Sequence, residues 1–235
     1  MEKIDLSWKR YLLPQIHPEG WRYVAVTTLI AMLASILWLP SLIIGVPLVL
    51  AVYLFFRDPP RVVPLDDHLI VSPADGTVCR IDQVALPEEL DAGDAMVWRV
   101  CVFMSVLNVH VNRVPVSGNI EKMVYIAGKF FNASLDKASE HNERQLYLLR
   151  TDGGKLIACV QIAGLIARRI VSFVKQEDKL ICGQRFGLIR FGSRVDVYLP
   201  EGIVPVVRAG QTMIAGETVI ARLAEVSSNN GDVHE

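Results

Sequence analysis

The 235-residue chain carries 24 Lys and Arg against 25 Asp and Glu, a net charge of −1, which excludes the broad basic field of a nucleic-acid-binding protein. Its hydrophobic share of 51% and mean hydropathy of +0.34 exceed the needs of one soluble domain, so part of the chain is expected to lie in lipid. The four cysteines, Cys79, Cys101, Cys159 and Cys182, include no Cys-x-x-Cys pair, so no metal or redox centre is expected.

Residues 1–20 form a polar lead. From Trp21 to Phe56 charge almost vanishes, and two apolar runs, Tyr23 to Leu39 and Leu42 to Phe56, meet at Pro40-Ser41. One spanning helix takes about 20 apolar residues, so the stretch is too long for a single straight span and slightly short for two generous ones. Pro40 favours a bend. Lys3, Lys9, Arg10 and Arg22 precede the segment, and Arg57 and Arg61 follow it. Positive charge on both flanks predicts a transmembrane or membrane-embedded helical hairpin over 21–56, with both ends and the domain beyond on the cytoplasmic side of the cell membrane. Trp21, Tyr23, Trp38 and Tyr53 sit where interfacial aromatics belong. A secretory signal would need a small-residue cleavage site after the first run, which is not evident; a buried soluble hairpin is the other alternative.

Residues 57–67, rich in proline, read as a stiff linker. From 68 to 235 a β-rich domain is expected. Strand-length runs recur at Leu69 to Val71, Gly76 to Ile81, Met96 to Val106, Gly118 to Tyr125, Gln145 to Arg150, Lys155 to Ile162, Gly187 to Leu199 and Thr218 to Leu223. Only Ser134 to Arg144 suggests a short helix or loop. The segments Val71 to Val78 and Val207 to Val219 share a cadence of short strands broken by Asp-Gly or Ala-Gly turns. That cadence predicts a mainly β, barrel-sandwich fold like the lipoyl and biotinyl domains, although the swinging-arm lysine of those carriers is not evident.

Three places hold candidate chemistry. In Asn108-Val109-His110-Val111-Asn112, strand alternation would set Asn108, His110 and Asn112 on one face, lining a cleft or facing solvent from an edge strand. Asp75 lies in a Pro-Ala-Asp-Gly turn, ordinarily a structural pair. In Arg190-Phe191-Gly192-Ser193-Arg194, the Gly192 carbonyl is unhindered, so a strained turn there would let the Ser193 hydroxyl attack it and break the chain. Gly-Ser is otherwise an ordinary turn. Carboxylate, imidazole and hydroxyl together supply the elements of an Asp-His-Ser arrangement.

The order of these features resembles the shorter, pyruvoyl-dependent class of phosphatidylserine decarboxylases. The resemblance rests on the apolar hairpin, Phe55-Phe56-Arg57-Asp58-Pro59, Ser72-Pro73-Ala74-Asp75-Gly76, Asn108 to Arg113, Lys137-Ala138-Ser139-Glu140 and Arg190 to Arg194. It implies self-cleavage between Gly192 and Ser193, a pyruvoyl cofactor made from Ser193, and decarboxylation of phosphatidylserine to phosphatidylethanolamine at a phospholipid membrane. It also implies catalytic roles for Asp75, His110 and Ser193, and a heterodimer of the two cleavage fragments, open to further oligomerisation. Longer members carry a second histidine where this chain has Arg113, so His110 is expected to serve both maturation and turnover, or to share the work. Arg113, Arg190, Arg194 and His141 are candidates for substrate binding. Two other classes fit parts of the pattern: a membrane-anchored lipoyl-like adaptor that stays intact, and a membrane-tethered serine hydrolase, for which the Gly-x-Ser-x-Gly elbow is missing.

Overall fold

The computed structural model describes residues 14–129, 141–164, 169–190 and 193–223. Helices α1 (Trp21–Leu37) and α2 (Leu42–Phe55) come first, joined through a short 3-10 turn at Leu39–Ser41. They pack on each other through small residues: a Cβ placed on Gly45 would stand 2.9 Å from the Ala31 Cβ. Their other faces are apolar and exposed, with Leu29, Ile30 and Ile36 on α1 and Ile43, Ile44 and Leu48 on α2. The stretch Pro18–Leu37, 20 residues, is long and apolar enough to cross a membrane, while the second helix is shorter.

Thirteen strands are assigned among the described residues. They are β1 (Leu69–Val71), β2 (Gly76–Ala85), β3 (Met96–Met104), β4 (Val111–Arg113), β5 (Gly118–Ile126), β6 (Arg144–Arg150) and β7 (Leu156–Ala163), followed by β8 (Ile170–Ser172), β9 (Lys179–Leu180), β10 (Arg185–Ile189), β11 (Ser193–Tyr198), β12 (Thr212–Met213) and β13 (Val219–Arg222). Eight of them form one sheet in the order β12-β2-β3-β11-β7-β6-β5-β9; β4-β10-β8 make a second sheet and β1-β13 a third. Every strand pair is antiparallel. The domain is therefore mainly β behind two N-terminal helices. Its main core joins Val100, Val102, Met104, Val195 and Val197 of the large sheet to Ile70, Val114, Phe186 and Ile220 from the smaller ones. The two segments of similar cadence pair with each other, β1 with β13 and β2 with β12.

Two local expectations change. The run Gly187 to Leu199 is two strands in different sheets, because β10 pairs with β4 and β8 whereas β11 pairs with β3 and β7. The chain changes sheets between Ile189 and Ser193. The strand expected over Asn108 to Asn112 begins only at Val111, because the Asn108 Oδ1 accepts both the Ser105 N–H and the Ser105 hydroxyl at 2.8 Å and closes a turn. Residues 57–67, expected as a stiff linker, also bond to the β domain. Buried Asp58 accepts from Arg113 at 3.1 Å and Arg185 at 2.5 Å, Arg61 pairs with Asp75, and the Val62 N–H reaches Glu217. These contacts fasten the end of the hairpin to the β domain. The helix or loop expected at Ser134 to Arg144 falls largely outside the described residues.

Candidate active site

Ser193 opens β11, opposite Met104 of β3 on one side and Ala163 of β7 on the other. The chain leaving Met104 turns through Ser105 to Asn108 and delivers His110 to the start of β4. Four residues before Ser193, the Ile189 N–H donates to the His110 carbonyl at 3.4 Å. Ile189 is thus held by the His110 backbone, and Ser193 by Met104 and Ala163. Gly192, the other half of the expected cleavage site, lies outside the described residues.

Ser193 and His110 are both fully buried, at 0% exposure. Buried hydroxyls and imidazoles nearly always find partners, since leaving one unpaired costs about 1–3 kcal/mol. Here the Ser193 Oγ and the His110 Nε2 are both buried without a partner among the described residues. The other imidazole nitrogen, Nδ1, lies 2.9 Å from the Asn108 carbonyl oxygen. A carbonyl only accepts, so Nδ1 carries the proton and Nε2 of the neutral ring keeps a free lone pair. Burial pushes the His110 pKa down to about 3, and the nearby Arg57 charge acts in the same direction. The ring is therefore neutral at physiological pH, in the tautomer that a general base requires.

The expected contact between Asp75 and this imidazole is replaced by another arrangement. Arg61 Nη2 donates to both Asp75 oxygens at 2.9 and 2.7 Å, and the Ala215 N–H donates to Oδ1 at 2.8 Å. Asp75 thus joins the linker to the turn before β13, and the Asn108 carbonyl, which sequence reasoning missed, orients the ring. No motif signals this, since any residue supplies a carbonyl.

The wall behind His110 comes from the hairpin. The Phe55 ring lies 4.1 Å from the His110 ring, centroid to centroid, and Phe55, Phe56, Val109, Val111 and Leu188 form one apolar cluster. On the other side runs a buried polar chain: the Tyr147 hydroxyl donates to Gln161 at 2.9 Å, Gln161 to Asn112 at 2.7 Å, and Asn112 to the Met104 sulfur at 3.5 Å. Gly187 makes room for it, since a Cβ there would lie 2.7 Å from the Gln161 amide nitrogen.

The four residues considered for substrate binding divide. Arg113 is buried against Asp58 and the Gly183 and Pro59 carbonyls. Arg194 is buried in a two-pronged pair with Asp196 at 2.7 and 2.9 Å. Arg190 bonds Glu19 at 3.2 Å, lies 5.2 Å from the Tyr23 ring, and keeps a buried Nε without a partner among the described residues. His141 is exposed, with its carbonyl accepting from Lys129. Burial raises the pKa of all four cysteine thiols, the opposite of an activated thiolate.

Two comparisons bear on this arrangement. The family model described as phosphatidylserine decarboxylase matches residues 48–221. A phosphatidylserine decarboxylase proenzyme from Ruegeria pomeroyi is 54% identical over 211 residues, covering 90% of this chain and 96% of that protein.

Proposed function

Because the chain belongs to the phosphatidylserine decarboxylase family, we propose that this decarboxylase acts on phosphatidylserine at a membrane, forming phosphatidylethanolamine and carbon dioxide, after cutting itself between Gly192 and Ser193. The observation that carries the reading is the pair of buried polar atoms without a partner among the described residues, Ser193 Oγ and His110 Nε2. Unpaired burial of both is costly to stability, and a proton transfer between them in maturation would give that cost a chemical purpose.

In maturation the neutral His110 accepts the Ser193 hydroxyl proton as Oγ attacks the Gly192 carbonyl, moving the acyl group from nitrogen to oxygen. Elimination then breaks the Ser193 Cβ–O bond, leaving a carboxylate on Gly192 and a dehydroalanine at 193. Water adds and ammonia leaves, giving the pyruvoyl terminus. The residues present fit that group, because position 193 is dry, held by strands on both sides and adjacent to the His110 loop. When formed, it would supply the electron sink into which the substrate's carboxylate bond pair collapses. His110 Nε2 would take up a proton that the substrate's ammonium gives up and later return it, Phe55 and Val109 exclude water from it, and Asn108 fixes its tautomer. Asp75 acts at one remove, tying Arg61 to the Ala215 turn. Among the basic candidates, Arg190 has a buried N–H to offer a headgroup.

The apolar helix pair fits a membrane hairpin over 21–56, preceded by a lead at 1–20, with a domain from 68 to 235 on the cytoplasmic side of the cell membrane. The mutual pairing of the two cadence segments favours the barrel-sandwich architecture. The mature protein would be a heterodimer of its own fragments, open to further assembly.

Intact mass of the parent beside Ser193→Ala tests the reading. Two fragments separated at Gly192-Ser193, the smaller reacting with hydroxylamine, together with an uncut variant and carbon dioxide release from phosphatidylserine, are the expected results. A folded parent that stays in one piece overturns it and leaves the adaptor.

A further inference from the structure

A groove of about 560 Å³ runs along α2, from Pro47 and Leu48 through Ala51 and Val52 to Phe55, with Val106 and Leu107 of the neighbouring turn as its second wall. Its one charged lining residue is Arg57. We infer that this groove receives the acyl chains of the phospholipid substrate and that Arg57 holds the phosphate. The inference rests on the decarboxylase reading and adds to it the residue that positions the lipid.

Three observations carry it. First, Arg57 makes no ion pair among the described residues: its Nη1 donates to the Leu54 carbonyl at 2.7 Å and its Nη2 to the Leu107 carbonyl at 2.6 Å. Those two bonds span the groove and aim the guanidinium, yet leave most of its five N–H donors free and bond it to no carboxylate, with Asp75 acting on its charge only from a distance. Arg61, Arg99, Arg113 and Arg194, by contrast, each bond a carboxylate. Second, the charge stands two residues past the apolar helix, at the depth where phosphates begin if α2 lies in the bilayer. Third, the groove connects to the reacting centre. Phe55 forms part of its lining and also lies against the His110 ring, and Leu107 sits on the turn that carries His110. A phospholipid with its tails along α2 and its phosphate on Arg57 would present its serine end toward His110 and position 193. Leu107, at 79% exposure, would sit among the tails.

The test is binding of dihexanoyl phosphatidylmethanol, which has the phosphate and tails but no amine to react, to the full chain in detergent. Dihexanoylglycerol, without phosphate, is measured beside it. Arg57→Gln is expected to weaken the phosphatidylmethanol about tenfold, the scale of one charge-assisted contact, and to leave dihexanoylglycerol unchanged. Arg57→Lys should retain part of the difference, and Ala51→Phe, which fills the groove, should weaken both ligands. Melting temperatures check that each variant is folded; should Arg57→Gln fail to fold, Arg57→Lys and Ala51→Phe carry the comparison. Equal phosphatidylmethanol binding by Arg57→Gln and parent, or equal loss of both ligands in Arg57→Gln, overturns the assignment. So does a parent that binds neither ligand. None of these readouts requires the chain to cut itself, so a failure here is separable from a failure of the decarboxylase reading.

Discussion

The rings of Phe55 and His110 lie 4.1 Å apart and tilted by 33°, so the last residue of the second apolar helix forms the lid over the imidazole. Phe55→Ala should lower stability by about 3–5 kcal/mol, the usual cost of deleting a buried phenyl ring. It should also admit water to the ring, moving the His110 pKa up from about 3 toward its ordinary 6.5. Denaturant titration reads the first effect, and the pH profile of chain cleavage the second.

Acid should destabilise the protein through His110. Below pH 6.5 the unfolded chain takes up a proton on this imidazole, but the folded chain, with a pKa near 3, does not. Stability from this group is complete above pH 6.5 and is lost as pH falls from there toward 3. The half-buried His17 contributes in the same direction. Comparing unfolding midpoints of parent and His110→Gln across that range isolates the His110 part, and the parent should show the steeper fall. Cleavage of the parent should show no inflection near pH 6.5.

Asp58 should be among the most sensitive polar positions. Its carboxylate accepts from Arg113 and Arg185, and its own N–H donates to the Gln15 carbonyl. Asp58→Ala leaves the buried Arg113 guanidinium without its carboxylate, a loss expected to cost about 3–5 kcal/mol. Thermal unfolding measures it, and Asp58→Glu should recover only part because Arg113 and Arg185 fix where the oxygens must lie.

Gly187→Ala tests the polar chain beside the site. The added methyl would crowd both the Gln161 amide and the Val171 carbonyl, at 2.7 and 2.9 Å. Moving Gln161 breaks its bonds with Asn112 and Tyr147, so a loss of about 1–3 kcal/mol is expected. Pairing it with Gln161→Leu in a double-mutant cycle should give strongly non-additive losses.

In the hairpin, Gly45→Leu should separate α1 from α2, because a side chain at that position meets the Ala31 Cβ. Cysteines introduced at Ala31 and Gly45 would give a direct reading by crosslinking in the parent background.

Much of this architecture is legible in the residues. The hairpin shows because its apolar character is unbroken, and the long strands show because β-branched residues recur between turn signals. Strands of two or three residues, such as β8, β9 and β12, are too short to carry a period. Asn108 mimics a strand residue by alternation, yet its side chain spends its acceptor on Ser105 and makes a turn. The Asp-Gly pair at Asp75 keeps its ordinary structural meaning in its bond to Ala215. The fates of Arg113 and Arg194 depend on what stands beside them in space. Asp58, 55 positions from Arg113, cannot be matched to it by spacing alone, and Asp196, two positions from Arg194, is paired with it only because both are buried.

Residues 193–223 contribute β11, β12 and β13, and every strand they pair with belongs to the chain before Gly192: β3 and β7, β2, and β1. A cut at that point removes one covalent bond and no ladder. The same interleaving would make a molecule cut as proposed a one-way product: once unfolded, its smaller piece, whose three strands pair only with the larger, would have to find that partner again in solution. The uncut chain folds with all its strands covalently joined, whereas a cut one would have to inherit that fold.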